Sequence, residues 1–120
     1  MSLGAKDRSS RLDDHAGKVI VYLVVWRFRP KAGHERDFER AYGPTGEWAR
    51  LFRRADGYLG TELLRRSDNP GEYLTLDRWA SRAAYEEFQS RWGDEYGRLD
   101  RLLEGLTEEE ALLGSFEALP

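Results

Sequence analysis

Gly57-Tyr-Leu-Gly-Thr-Glu-Leu-Leu-Arg-Arg66, Ser67-Asp-Asn-Pro-Gly71 and Glu72-Tyr-Leu-Thr-Leu-Asp-Arg-Trp-Ala-Ser81 follow one another without a gap. Two runs rich in Leu, Thr and aromatic residues flank five residues that favour a turn. Glycine reaches positive φ, proline fixes its own φ and lacks an N–H, and Asp and Asn side chains bond their own backbone. The spacing predicts a β-hairpin with a loop longer than the minimum. Its second strand delivers Trp79 to the mouth of a helix that Ser81 is placed to cap.

Upstream, Val19 to Phe28 gives the strongest strand signal, β-branched and aromatic, and Pro30 stops it. Both alternating sets are apolar: Val19, Val21, Leu23 and Val25 on one side, Ile20, Tyr22, Val24, Trp26 and Phe28 on the other. A strand with one wet face would show polar residues there. This strand is therefore expected to be covered on both faces, by helices on one side and by a second copy of the chain on the other. Which alternating set meets the helices is not fixed by the pattern.

A helical period follows Pro30-Lys-Ala-Gly33, through Phe38, Ala41, Tyr42, Trp48, Leu51, Phe52 and Ala55. Gly43-Pro44 interrupts it, so two helical pieces are expected, about 34–42 and 45–54, meeting at a bend. After Ser81, Tyr85, Phe88 and Trp92 share one helix face, and beyond Gly93-Asp94 an amphipathic helix continues through Tyr96, Leu99, Leu102 and Leu103. Thr107-Glu-Glu-Glu110 has capping-box spacing and is read as a short solvated helical turn, before a last strand from Leu112 to Leu119. The order is β-α-β-β-α-β, the ferredoxin-like split pattern of a four-stranded antiparallel sheet with helices on one face. Two such sheets facing each other would close a dimeric α+β barrel.

The 120 residues suffice for one core. Residues 1–17 lack apolar periodicity and read as a flexible arm, leaving 18–120 as a single domain. With 40% hydrophobic and 34% charged residues and a net charge of −3, the composition is that of a soluble globular domain. The slight acidic excess argues against nucleic-acid binding, and no apolar run approaches the roughly 20 residues of a membrane span. With no cysteine, thiolate chemistry and disulfides are excluded, and a cytoplasmic location is the expectation. The two histidines, His15 and His34, lie nineteen residues apart without ligand spacing around them, so no metal and no bound cofactor is expected. Gly57 to Gly60 opens a strand rather than a helix and is no phosphate loop. What remains are the aromatics. Trp26, Tyr42, Trp48, Phe52 and Phe88 are expected either to fill the core or to line an apolar pocket between sheet and helices, suited to a flat organic ligand.

Trp26-Arg-Phe-Arg-Pro30, the Gly43 to Trp48 bend with Leu51-Phe52, Gly57-Tyr-Leu-Gly-Thr-Glu-Leu63 and Tyr73-Leu-Thr-Leu-Asp-Arg-Trp-Ala-Ser81 resemble the antibiotic biosynthesis monooxygenase family. The resemblance runs from Val19 to Ala118 and implies ferredoxin-like protomers paired as a dimeric barrel. Some members of that family oxidise polycyclic phenols with O₂ and no metal or flavin. The resemblance implies a Trp at the end of the third strand and a Tyr in the next helix as catalytic residues, matched in position by Trp79 and Tyr85. Haem-degrading members use a His after that Trp; here no histidine follows Trp79, and the only Asn is Asn69 in the hairpin loop. Arg27 and Asp77 are read as surface pairing residues. Two alternatives stand beside the oxygenase: a binding or structural dimer without chemistry, and an isomerase or cyclase. For the latter, His34 or Asp77 would have to present a shifted pKa inside the pocket.

Overall fold

The computed structural model describes residues 21–120; the expected arm, with His15, and the strand residues Val19 and Ile20 lie outside them. The first strand, β1 (Tyr22–Pro30), leads into α1 (Glu35–Tyr42) and α2 (Glu47–Phe52). The hairpin β2 (Tyr58–Arg65) and β3 (Tyr73–Trp79) follows, then α3 (Arg82–Arg91), α4 (Gly93–Leu103), a 3₁₀ turn at Glu104–Leu106 and β4 (Thr107–Glu117). All strand pairings are antiparallel and the sheet order is β2-β3-β1-β4. This is the ferredoxin-like α+β arrangement, with the apolar first strand at the centre between β3 and β4.

The register settles which side of β1 meets the helices. Tyr22, Val24 and Phe28 are buried with Phe38 of α1, Phe52 of α2 and Phe88 of α3 in one core. Leu23 and Val25 pair across the sheet with Arg78 and Leu76, and with Phe116 and Gly114, and so face the opposite way. Leu64, Leu74 and Leu76 share that second face through the β2–β3 register. Among the described residues no helix covers it. Phe116 and Leu64 remain 52% and 44% exposed there, beside the ion pairs Arg27–Glu109 and Arg78–Glu62.

The hairpin loop closes through Arg66 N–H to the Glu72 carbonyl and Glu72 N–H to the Asn69 carbonyl. Ser81 caps α3, its Oγ accepting from Ala84 N–H at 3.0 Å. Trp92 ends α3 and Gly93 begins α4, so the break expected at Gly93-Asp94 falls one residue earlier. The helical turn expected at Thr107–Glu110 is strand instead. Pairing with β1, from Pro30↔Thr107 onward, gives these residues ladder hydrogen bonds that one capped turn cannot match.

The bend between α1 and α2 depends on a close approach. A Cβ on Gly46 would lie 2.1 Å from the Arg40 carbonyl oxygen and 2.4 Å from that of Ala41, both backbone. Arg50 Nη1 and Arg53 Nη2 donate to the Thr45 and Pro44 carbonyls at 2.9 and 2.8 Å, tying α2 back onto the bend. Gly46→Ala is expected to cost about 3 kcal/mol, because rigid backbone must move. Ser81→Ala should cost about 1 kcal/mol, the usual loss of a cap. Urea midpoints of the two variants measured side by side check that ranking.

Candidate active site

Strand alternation builds the floor. Along β3, Tyr73, Thr75, Asp77 and Trp79 are buried while Leu74, Leu76 and Arg78 face the other side. Asp77 is thus carried inward, where sequence reading placed it at the surface. It is 8% exposed, its Oδ1 accepts from Thr61 Oγ1 at 2.6 Å, and Thr61 Oγ1 lies 2.5 Å from the Tyr58 hydroxyl. Burial pushes the Asp77 carboxyl up to about 7, against the pull of the Thr61 hydrogen bond, which favours the charged form. A carboxyl poised there can take or give a proton near neutrality.

Above this floor lies a cavity of about 100 Å³. Trp26 and Phe28 of β1 form one wall, and Tyr42 of α1 with Trp48 and Phe52 of α2 form the next. Thr75 and Asp77 close it below, while Tyr96 and Asp100 of α4 and Glu110 of β4 rim it. The walls pack ring on ring: Phe28 to Tyr42 at 4.8 Å, Trp48 to Tyr96 at 4.8 Å and Trp48 to Phe52 at 6.0 Å between centroids. Burial raises the Tyr42 phenol to about 12 and pushes Tyr96 up as well, so both remain neutral donors. The Trp48 indole N–H is buried without a hydrogen-bond partner. The Tyr42 hydroxyl lies near enough for that N–H to ease its ionisation.

Four of the five expected pocket residues, Trp26, Tyr42, Trp48 and Phe52, therefore line one cavity. Phe88 does not line it; it is 1% exposed, packed edge-on against Phe52 at 5.2 Å. Trp79 and Tyr85 stand together behind the wall, 5.3 Å apart, with Trp79 against Phe52 at 5.6 Å. Trp79 is fully buried and its N–H has no partner, while the Tyr85 hydroxyl accepts from Gln89 Nε2 at 2.9 Å. His34 sits exposed at the start of α1, away from the cavity lining. Arg27 pairs with Glu109 on the open sheet face.

Thr61→Val should raise the Asp77 pKa by about one unit, since a hydrogen bond to a charged acceptor is lost. A ¹³C NMR titration of the Asp77 carboxyl reads this directly. An unchanged or lowered value would show that Thr61 does not hold the carboxylate.

Comparison with curated proteins finds no significant sequence match. Solved structures do match. A protein of Pseudomonas aeruginosa aligns at TM-score 0.59 and 19% identity, over 86% of this chain and 97% of its own. A protein of Shewanella oneidensis aligns at 0.60 and 18%, over 84% and 93%. SnoaB of Streptomyces nogalater, a cofactor-independent oxygenase, aligns at 0.58 and 24%, over 86% and 96%. At these identities the likeness is one of fold. The family profile described as antibiotic biosynthesis monooxygenase matches residues 21–95, from β1 into α4 and through every wall of the cavity except the rim at Tyr96, Asp100 and Glu110. The chain belongs to the antibiotic biosynthesis monooxygenase family.

Proposed function

We propose that the chain is a monooxygenase requiring neither metal nor flavin, acting on an aromatic or polyketide-type ring held in the cavity, with Asp77 as general base. The observation that carries this is the buried Asp77 carboxyl, held near neutrality at the floor of an aromatic-walled cavity. The family and the cofactor-independent oxygenase SnoaB among its structural neighbours support the reaction class. Asp77 takes a proton from an acidic ring CH₂ or phenol, and the anion gives an electron to O₂. The caged pair joins as a C–O bond, and Asp77 returns its proton to the distal oxygen. Loss of water then leaves a ketone, so that CH₂ and O₂ become C=O and H₂O. The protein contributes orientation, exclusion of water and hydrogen bonds to the developing oxyanion. Trp48 N–H and the Tyr42 hydroxyl are the donors at hand. Trp79 and Tyr85 act as positioning residues that hold Phe52 in the wall.

At about 100 Å³ the cavity is smaller than the roughly 150 Å³ that accepts a benzene. A ring is therefore seated only in part within it, and the remainder of the substrate extends past α4 and β4. Oxygen uptake with one- to three-ring phenols, scored beside product formation without air, tests the assignment. Uptake that follows ring size and stops in Asp77→Asn supports it. Turnover that proceeds equally without O₂ gives the same carboxyl to an isomerase or cyclase. No turnover of any kind leaves a binding protein.

The same proposal includes a homodimer. The open face of Leu23, Val25, Leu74, Leu76, Leu64 and Phe116, with Arg and Glu pairs beside it, is self-complementary in chemistry, as a two-fold interface requires.

A further inference from the structure

From the hydrogen bonds behind Asp77 we infer that Thr61 and Tyr58 are its proton outlet, two hydroxyls that carry the carboxyl's proton to solvent at the β2 edge of the sheet while a substrate ring covers the cavity. The inference rests on Asp77 being the base and adds the path by which that base is reset. Both residues act through Asp77 and are positioning residues.

The backbone of β2 is built for this chain of hydroxyls. Tyr58 pairs with Trp79, Gly60 with Arg78 and Thr61 with Asp77, so Leu59 is an extra residue in the ladder. In a regular strand, residues three apart point to opposite faces. The bulge brings Tyr58 and Thr61 onto one face, and its Gly60 takes φ +145°, a conformation that favours glycine. The Tyr58 ring is fixed there against Phe52 at 5.5 Å and Trp79 at 5.3 Å.

The hydrogen count sets the direction. Thr61 has one hydroxyl hydrogen, and it goes to the Asp77 carboxylate at 2.6 Å. Its oxygen then accepts from the Tyr58 hydroxyl at 2.5 Å. Among the described residues Thr61 is the only hydrogen-bond partner of Asp77, whose other neighbour across the sheet is Val24 of β1. When Asp77 is protonated the chain runs outward instead. The carboxyl O–H gives its proton to Thr61 Oγ1, Thr61 gives its own to the Tyr58 oxygen, and Tyr58 gives its own to water. A carboxylate and two neutral hydroxyls remain, and the chain points inward again.

Near neutral pH a large share of the molecules hold Asp77 protonated, and those cannot take a proton from the ring. With a ring across the cavity, the path at the rear of Asp77 is the one these hydroxyls provide. It ends on an edge strand, at half-buried Tyr58 beside exposed Arg53. The other titratable groups around Asp77 lie elsewhere. Tyr85 of α3 and Tyr96 of α4 feel its charge and are kept neutral by burial, and Asp100 and Glu110 stand at the cavity rim.

Nuclear magnetic resonance reads the chain without substrate, in protein carrying ¹³C at the Asp carboxyls and at tyrosine Cζ. Tyr58 stays neutral, its phenol raised by burial, yet its Cζ signal should titrate with the Asp77 midpoint of about 7, as its hydroxyl turns inward. Thr61→Ser should keep that step. Thr61→Val should abolish it, while Tyr85 continues to feel the Asp77 charge. The native Asp77 carboxyl should give one averaged line through its midpoint. In Tyr58→Phe, proton exchange should slow at least about tenfold and broaden or split that line. A Tyr58 step no larger than that of Tyr85, a step that survives Thr61→Val, or a carboxyl line as sharp in Tyr58→Phe as in the native chain overturns the outlet and leaves Asp77 as base. An Asp77 that titrates in the ordinary carboxylate range removes base and outlet together.

Discussion

Asp77→Asn should lose turnover by roughly a hundredfold to ten-thousandfold and yet unfold at a higher temperature than the native chain in alkaline solution. Both effects have one source. The carboxyl has an ordinary value of 3.8 in an unfolded chain and is held at about 7 in the fold, so the folded state binds the proton more tightly than the unfolded one. Below the unfolded value both states are protonated, and the group has no effect on stability. As pH rises through the interval, the unfolded chain ionises first and stability falls. Above the folded value the full cost is present, of the order of 4 kcal/mol for about three pKa units. Asparagine accepts the same Thr61 hydrogen bond and never ionises. Its melting temperature should therefore match the native one at about pH 4 and exceed it by about 15 °C at about pH 9. Calorimetric scans at the two pH values, with oxygen uptake on the same samples, separate the outcomes. A variant less stable than native in alkali would show that the fold stabilises the carboxylate, and the general-base proposal would fail with it.

Val25→Glu and Val24→Glu should diverge although the residues are neighbours. Val24 is 3% exposed in the core beneath the helices, and a carboxylate there is uncompensated, so the chain should not fold. Val25 faces the open side opposite Leu76 and Gly114. A charge at that point is tolerated by a lone protomer and repelled by its own image across a two-fold axis. Analytical ultracentrifugation should find the native protein near twice the 13.9 kDa chain mass and Val25→Glu near one chain mass, with native circular dichroism. A native protein that sediments as one chain at micromolar concentration would refute the dimer.

The chain's organisation was readable in advance wherever local chemistry and tertiary demand agree. Ser67 to Gly71 has no good alternative to a turn, and Ser81 before Arg-Ala-Ala has no better use than a cap. The two-sided apolar pattern of β1 predicts a strand covered on both faces, and in the fold the helices cover the face of Tyr22, Val24 and Phe28. Thr107-Glu-Glu-Glu110 misled because a capping box is a local preference of about 1 kcal/mol, which a full ladder beside β1 outweighs. Asp77 misled for a different reason. On β3 one alternating set holds Thr75 and Asp77 and the other holds Leu74 and Leu76, so hydropathy points the acid outward. In the fold the leucines take the outer face and the acid is buried, an arrangement that costs stability and is the kind kept at functional sites. The resemblance directed attention to Trp79 and Tyr85, at strand end and helix start. Only the packing shows them one layer behind the cavity.

The wall formed by α2 has a consequence for how such a chain can change. Trp48 and Phe52 hang from a helix of six residues, too short to persist alone, whose place is dictated by the Gly43–Gly46 bend and two arginine tethers. Lengthening or re-angling that bend would swing both rings while leaving all four strands in register. Specificity in this architecture can therefore drift by hinge surgery at one corner, and descendants accepting quite different ring systems could share an unaltered sheet.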